Sequence, residues 1–129
     1  MEKTLLTYRP NEQEIFDHVC KHLAKQKKRC FDPKADQCRY RYGEMSCAVG
    51  SLISDEDYDR VMDDKNCSAE IVIDKWFPVA GSVGRLCRDL QVDHDIGINA
   101  EALKERLKLT AKNHKLKPDA IDLITEWEY

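Results

Sequence analysis

Tyr40-Arg41-Tyr42-Gly43-Glu44-Met45-Ser46-Cys47-Ala48-Val49-Gly50-Ser51-Leu52-Ile53-Ser54-Asp55-Glu56-Asp57-Tyr58 places a turn, a thin strand and a helix start in one short run. Cys38 to Tyr42 alternates in character, Gly43-Glu44 supplies a turn, and Met45 to Val49 returns, so the run predicts a short hairpin. Ala48 and Gly50 keep the returning strand thin enough for another element to approach its backbone closely. Ser54 then suits an N-cap, with Asp55, Glu56 and Asp57 at the positive end of the helix dipole and Tyr58, Val61 and Met62 turned inward.

On the N-terminal side, Asn11 follows Pro10 and caps a helix whose first turn carries Glu12 and Glu14. Ile15, Phe16, Val19, Cys20 and Leu23 fall on one face, and the helix is expected to run to about Lys28. Its last turn is basic, which suits the negative end of the dipole. Phe31 to Gln37, with Asp32-Pro33, reads as a loop. Ala69 to Phe77 fits a strand or a helix face, with the helix preferred, and Pro78 ends it in either case. Val83, Leu86, Cys87 and Leu90 predict a helix ending near His94. Asn99 caps the next, striped by Leu103, Leu107 and Ala111 as far as about His114. Pro118 opens a short final helix carrying Ile121, Ile124 and Trp127. The fold class expected is α+β, a single, mostly helical domain spanning 1–129 with a small β-hairpin after the first helix.

A chain of 129 residues, 42% hydrophobic and 35% charged, has the size of one domain with one core. No apolar stretch approaches the roughly twenty residues of a bilayer crossing, and Met1-Glu2-Lys3-Thr4 leads into no signal-peptide hydrophobic region, so a cytoplasmic location without membrane contact is expected. Six cysteines, at 20, 30, 38, 47, 67 and 87, include no Cys-x-x-Cys pair, and in that compartment they read as reduced thiols.

Net charge is −3, but the signs are segregated. Lys21, Lys25, Lys27, Lys28, Arg29, Lys34, Arg39 and Arg41 stand against only Asp32 and Asp36. Between Tyr42 and Asp74, nine acids, Asp55, Asp57 and Asp59 among them, stand against Arg60 and Lys65. Separation of this kind bears on partners and on association rate.

Catalytic patterns are sparse. His18 or His22, then His94-Asp95, then Asp119 or Asp122 follow the order of a helical metal-dependent phosphohydrolase, which needs imidazole and carboxylate groups converging on one cation. His94-Asp95 also reads as an ordinary polar helix end, and His18 and His22 lie at the edge of the apolar stripe. Cys47, among Met45, Ala48 and Val49, reads as an inert buried thiol. Arg39-Tyr40-Arg41-Tyr42 interleaves guanidinium and aromatic groups beside the lysine cluster, a composition that can stack bases and contact phosphates. On a strand, however, 39 and 41 share one face and 40 and 42 the other, so the tyrosines can face the core.

The pattern Gly43-x-x-x-Cys47-Ala48-Val49-Gly50-x-Leu52-Ile53-x-Asp55-x-x-Tyr58 resembles one found in uncharacterised small proteins of bacteriophages and bacteria. Leu90-Gln91, His94-Asp95 and Asn113-His114-Lys115-Leu116 are similar to the second half of the same proteins, and Ser51 and Ser54 stand where such relatives often carry a Cys and a Pro. The resemblance spans about residues 11 to 116 and implies a shared small fold of phage or mobile-element type, with no activity attached. The function expected is that of a non-catalytic accessory or anti-host protein. Its partner, a host protein or complex, would be bound through Lys25, Lys28, Arg29, Arg39, Tyr40, Arg41 and Tyr42 on the basic side and Asp55, Asp57 and Asp59 on the acidic side. Nucleic-acid binding through Lys25 to Arg41 and a metal-dependent phosphohydrolase are the alternatives; no cofactor, metal or catalytic residue is assigned.

Overall fold

A computed structural model describes residues 11–34, 37–38, 41–42, 45–52 and 81–128. The elements in chain order are α1 (Glu12–Gln26), β1 (Phe31–Asp32), β2 (Gln37–Cys38), β3 (Arg41–Tyr42), β4 (Met45–Ser46), a 3₁₀ turn at Gly50–Leu52, α2 (Gly81–Ile96), α3 (Ala100–Asn113) and a second 3₁₀ turn at Asp119–Leu123. The protein is α+β and mostly helical, with its strands after the first helix. No helix among the described residues is long and apolar enough to cross a membrane. The expected helix at Ser54, the segment Ala69 to Phe77, and Arg39, Tyr40, Asp55, Asp57 and Asp59 lie outside the described residues.

α1 begins as its sequence dictates. The Asn11 side chain accepts from the Glu14 amide while the Glu14 carboxylate accepts from the Asn11 amide, a complete capping box. It ends earlier than Lys28, because Lys27 adopts the left-handed conformation (φ 66°) and donates its N–H to the Leu23 carbonyl. Ile15, Phe16, Val19, Cys20 and Leu23 are fully buried, as their spacing requires.

The segment after α1 departs from the expected loop. Phe31–Asp32 pairs antiparallel with Gln37–Cys38, so Asp32-Pro33 heads a tight hairpin rather than an irregular link. The Asp32 carboxylate accepts the Lys34 amide at 2.9 Å, the local side-chain bond that favours a turn there. The two strands of the predicted hairpin pair antiparallel, with Arg41 opposite Ser46 and Tyr42 opposite Met45, while the expected turn residues Gly43 and Glu44 lie outside the described residues. Its returning strand is shorter than Met45–Val49: after Ser46 the chain turns into the 3₁₀ element, which packs on α1 with Cys47, Ala48, Val49, Gly50 and Leu52 all buried.

α2 and α3 pack against each other, and α1 packs on α2 and on the last 3₁₀ turn. α3 is capped by Asn99, whose side chain accepts from the Ala102 amide at 2.8 Å. It closes with Lys115 left-handed (φ 58°) and the Leu116 amide donating back to the Ala111 carbonyl. The expected last helix is a 3₁₀ turn, after which Ile124 and Trp127 enter the core in extended chain. One cluster of buried side chains joins α1, the 47–52 segment, α2, α3 and the C-terminal stretch.

Candidate functional site

Two polar arrangements stand out from this core. In the first, His94 lies in the last turn of α2, near which the helix was expected to end, but its side chain is fully buried rather than part of a polar exit. The Cys30 amide donates to its Nε2 at 3.0 Å, and its Nδ1 lies 2.7 Å from Asp95 Oδ1. An imidazole nitrogen that accepts an N–H carries no proton, so the proton of a neutral ring is on Nδ1 and is donated to Asp95. Asp95 Oδ1 also accepts from the Gln91 amide group at 2.9 Å, and Gln91 Oε1 accepts the Val49 amide at 3.1 Å. The Trp127 ring meets His94 edge-on at 5.6 Å, and its indole N–H donates to the Gly97 carbonyl at 3.0 Å.

Around this centre the chain ends are tied together. Glu128 exchanges backbone hydrogen bonds with the exit of α1, donating to the Lys27 carbonyl and accepting from the Arg29 amide. Arg29 lies 4.4 Å over the Phe31 ring and donates to the Asp95 carbonyl at 3.3 Å. His94, Asp95, Gln91 and Trp127 therefore form a clasp holding α1, the 47–52 segment and the C-terminal stretch on α2. Both His94 nitrogens are occupied by the protein itself.

His18 and His22 serve a similar purpose. Their Nε2–H groups donate to the carbonyls of Ser51 at 3.0 Å and Ser46 at 2.9 Å, and Gln26 Oε1, one turn further on, accepts the Ser46 amide. Residues 18, 22 and 26 form a polar row, four apart on one face of α1, that receives the end of β4 and the 3₁₀ turn after it. The spacing was visible in sequence; the partners were not, being 20 to 33 residues away. Among the described residues no three His, Cys, Asp or Glu side chains are grouped to hold a metal ion. The phosphohydrolase constellation is thus not assembled: its histidines bond to separate backbone or side-chain groups, and Asp119 and Asp122 sit in the last 3₁₀ turn.

Cys20, Cys30, Cys47 and Cys87 are free and buried. Burial pushes the Cys20 and Cys87 thiols up to about 12, with negative charge from Asp17 and Asp93 adding at Cys20 and from Glu12 at Cys87, so neither forms a thiolate nucleophile at neutral pH. Cys47 Sγ accepts the Gly50 amide at 3.2 Å, a packing role that fits its reading as inert.

The second arrangement is a cleft of about 420 Å³ between α2 and α3, lined by Arg88, Asp89, Val92 and Asp93 from one helix and Arg106, Leu109, Thr110 and Asn113 from the other. Asp93 is 3% exposed; Thr110 Oγ1 donates to its Oδ2 at 2.6 Å, and Arg106 Nε approaches its Oδ1 at 3.3 Å without the alignment of a hydrogen bond. Burial pushes the Asp93 carboxyl up to about 6, the Asp89 charge adding and the Thr110 and Arg106 contacts opposing. Near the end of α3, His114 Nε2 lies 2.7 Å from Asp89 Oδ2. Sequence reading passed over this cleft, since 88, 89, 92 and 93 look like an ordinary polar helix face until α3 is laid against it.

Of the residues expected to meet a partner, Lys25 and Lys28 are exposed. Arg29 is half-buried in the clasp and Tyr42 packs against the core, so these two have structural work. Arg41 lies in β3, paired opposite Ser46. Comparison of the chain with protein-family models, with curated proteins and with solved structures finds no match.

Proposed function

We propose that this chain is a non-catalytic binding protein, of the phage-type accessory or anti-host kind that its Gly43 to Tyr58 pattern resembles, and that it engages a host macromolecule through the basic end of α1. The observation that carries this reading is the row of exposed lysines there. Lys21 and Lys25 are one turn apart on the outer face of α1, Lys28 follows the cap and Lys34 tops the β1–β2 turn. Among the described residues none of these four makes an ion pair, whereas Lys27 reaches Glu126 at 3.9 Å. The buried histidines and thiols, by contrast, are spent on the fold.

An acidic protein surface is the favoured partner, because the neighbouring aromatics of the described stretch, Phe31 and Tyr42, are engaged by Arg29 and by the core rather than offered for base stacking. The test compares capture of host proteins by the wild-type chain and by a Lys25→Glu/Lys28→Glu variant, with retention of labelled single and double strands measured in parallel at low and moderate salt. The expected result is a protein captured by the wild-type chain and lost by at least ten-fold in the variant, with no strand retained. Equal capture by both chains rejects the basic end of α1 as the contact. Strand retention that falls steeply with salt instead makes the partner a nucleic acid.

A further inference from the structure

The cleft between α2 and α3 has a polar floor that is closed on itself. Arg106 pairs with Asp93 at 3.3 Å, Thr110 donates to Asp93 at 2.6 Å, and His114 bonds Asp89 at 2.7 Å. What the cleft presents outward is therefore decided by its walls and its rim. Val92 from α2 and Leu109 from α3 line the opening from opposite sides, 38% and 59% exposed. Ile96, 48% exposed, follows Val92 by one turn on the same face of α2. Isolated exposed aliphatics are ordinary on a protein surface, but three of the five large ones among the described residues share this seam.

Asp93 meets Thr110 and Asp89 meets His114, so α2 and α3 run antiparallel and the seam between them has two unlike ends. Ile96 lies at one end. Arg85, Arg88 and Lys112, all exposed, lie at the other, where they outnumber Asp89. From Ile96 back to Arg88 the seam is about 12 Å long at the rise of an α-helix, room for two turns of a third helix. An antiparallel helix pair with aliphatic residues on its outer seam offers the groove into which an amphipathic helix packs. The cationic end selects the charge of that helix. The described residues lining the cleft include no aromatic ring on which a base could stack, and a second copy of the chain would bring the same cationic residues to the seam.

We propose that the α2–α3 seam docks an acidic amphipathic helix of a partner protein, its aliphatic side chains seated against Val92, Ile96 and Leu109 and its carboxylates directed to Arg85, Arg88 and Lys112. This contact is separate from the lysine row on α1.

The test pans a displayed library of random peptides, about four helical turns long, against the wild-type chain, with counter-selection against Val92→Glu/Leu109→Glu. Both substituted positions are exposed, and circular dichroism checks that the variant keeps its fold. The expected result is enrichment of negatively charged peptides with aliphatic residues at i, i+4 and i+7. A synthetic peptide of the leading sequence is expected to shift the methyl resonances of Val92, Ile96 and Leu109. It should bind Val92→Glu/Leu109→Glu at least about ten-fold more weakly, the equivalent of losing one buried aliphatic contact. Arg85→Glu/Lys112→Glu should weaken it about three-fold, as exposed charge pairs do. Binding to Lys25→Glu/Lys28→Glu should equal that of the wild-type chain; loss in that variant would move the contact to the lysine row and overturn the proposal. Enrichment of neutral or basic peptides, or of none that depend on Val92 and Leu109, overturns it as well. So does retention of a labelled strand that Val92→Glu/Leu109→Glu abolishes, which would make the occupant a nucleic acid, or a concentration-dependent shift of the same methyls without peptide, which would make it a second copy.

Discussion

Replacing Trp127 by Ala is expected to remove roughly 3–5 kcal/mol of folding stability, the range for deleting a large buried aromatic. Trp127 is 7% exposed, stands edge-on to His94 and donates its indole N–H to the Gly97 carbonyl. Its loss opens a void beside an imidazole already held on both nitrogens and leaves the Gly97 carbonyl without that donor. The same residue anchors the stretch through which Glu128 bonds to Lys27 and Arg29, so the exit of α1 loses its backbone partners too. Domains of this size are stable by about 5–15 kcal/mol, and the change is therefore a large fraction of the total. Urea unfolding followed by circular dichroism measures it. A loss below about 1 kcal/mol would show that the C-terminal stretch does not contribute to the cooperative fold. Trp127→Phe separates the two contributions: it keeps a ring against His94 and should recover most of the loss, leaving about 1–2 kcal/mol for the missing indole donor.

Asp93→Asn should act in the opposite direction. The folded chain holds the Asp93 proton up to about pH 6, whereas the ordinary value is 3.8. Between those values the folded state binds more protons than the unfolded state, so this group's contribution to stability falls as pH rises through the window and stays low above it. The difference amounts to about 3 kcal/mol at one pKa unit per 1.36 kcal/mol. An amide at this position carries no buried charge, its oxygen can still accept from Thr110, and Arg106, 40% exposed, can turn to water. Asp93→Asn should therefore raise stability by about 1–3 kcal/mol at pH 7.5 and be close to neutral at pH 4, with the difference between the two chains opening between pH 4 and 6. Denaturation curves for both chains across that range give the difference directly. A variant less stable than wild type at pH 7.5, or a gap independent of pH, would show that the Arg106 pairing outweighs the cost of burying the carboxylate.

These effects concern residues whose importance was unevenly written in the sequence. The stripe of α1, the Asn11 capping box and the Asn99 cap were legible because they depend on neighbours three or four residues away. The pairing of β3 with β4 was legible from the alternation on either side of Gly43-Glu44, although the returning strand is cut short where the small residues at 48 and 50 let the chain fold onto α1. The left-handed Lys27 was not: a lysine there gives no local signal, and its conformation is stabilised by Glu128, about a hundred residues on. The end of the helix near His94 was legible, but the burial of its ring was not, because its partners Cys30 and Trp127 are brought to it only by the tertiary fold. The cleft was hidden for the same reason, since its two walls belong to different helices. Charge segregation was plain in composition, yet the structure divides the basic residues further, leaving Lys25 and Lys28 outside and drawing Arg29 inward.

The central claim is that the interior histidine serves as a structural clasp, leaving function to surfaces around it. Long-range ¹⁵N–¹H correlation spectra of the His94 ring test this directly. The account predicts a neutral ring protonated on Nδ1, with a scalar coupling across the Cys30 N–H to Nε2 hydrogen bond, and no change when zinc or manganese is added. A ring protonated on Nε2, or His94 signals shifted or broadened by either metal ion, would contradict it.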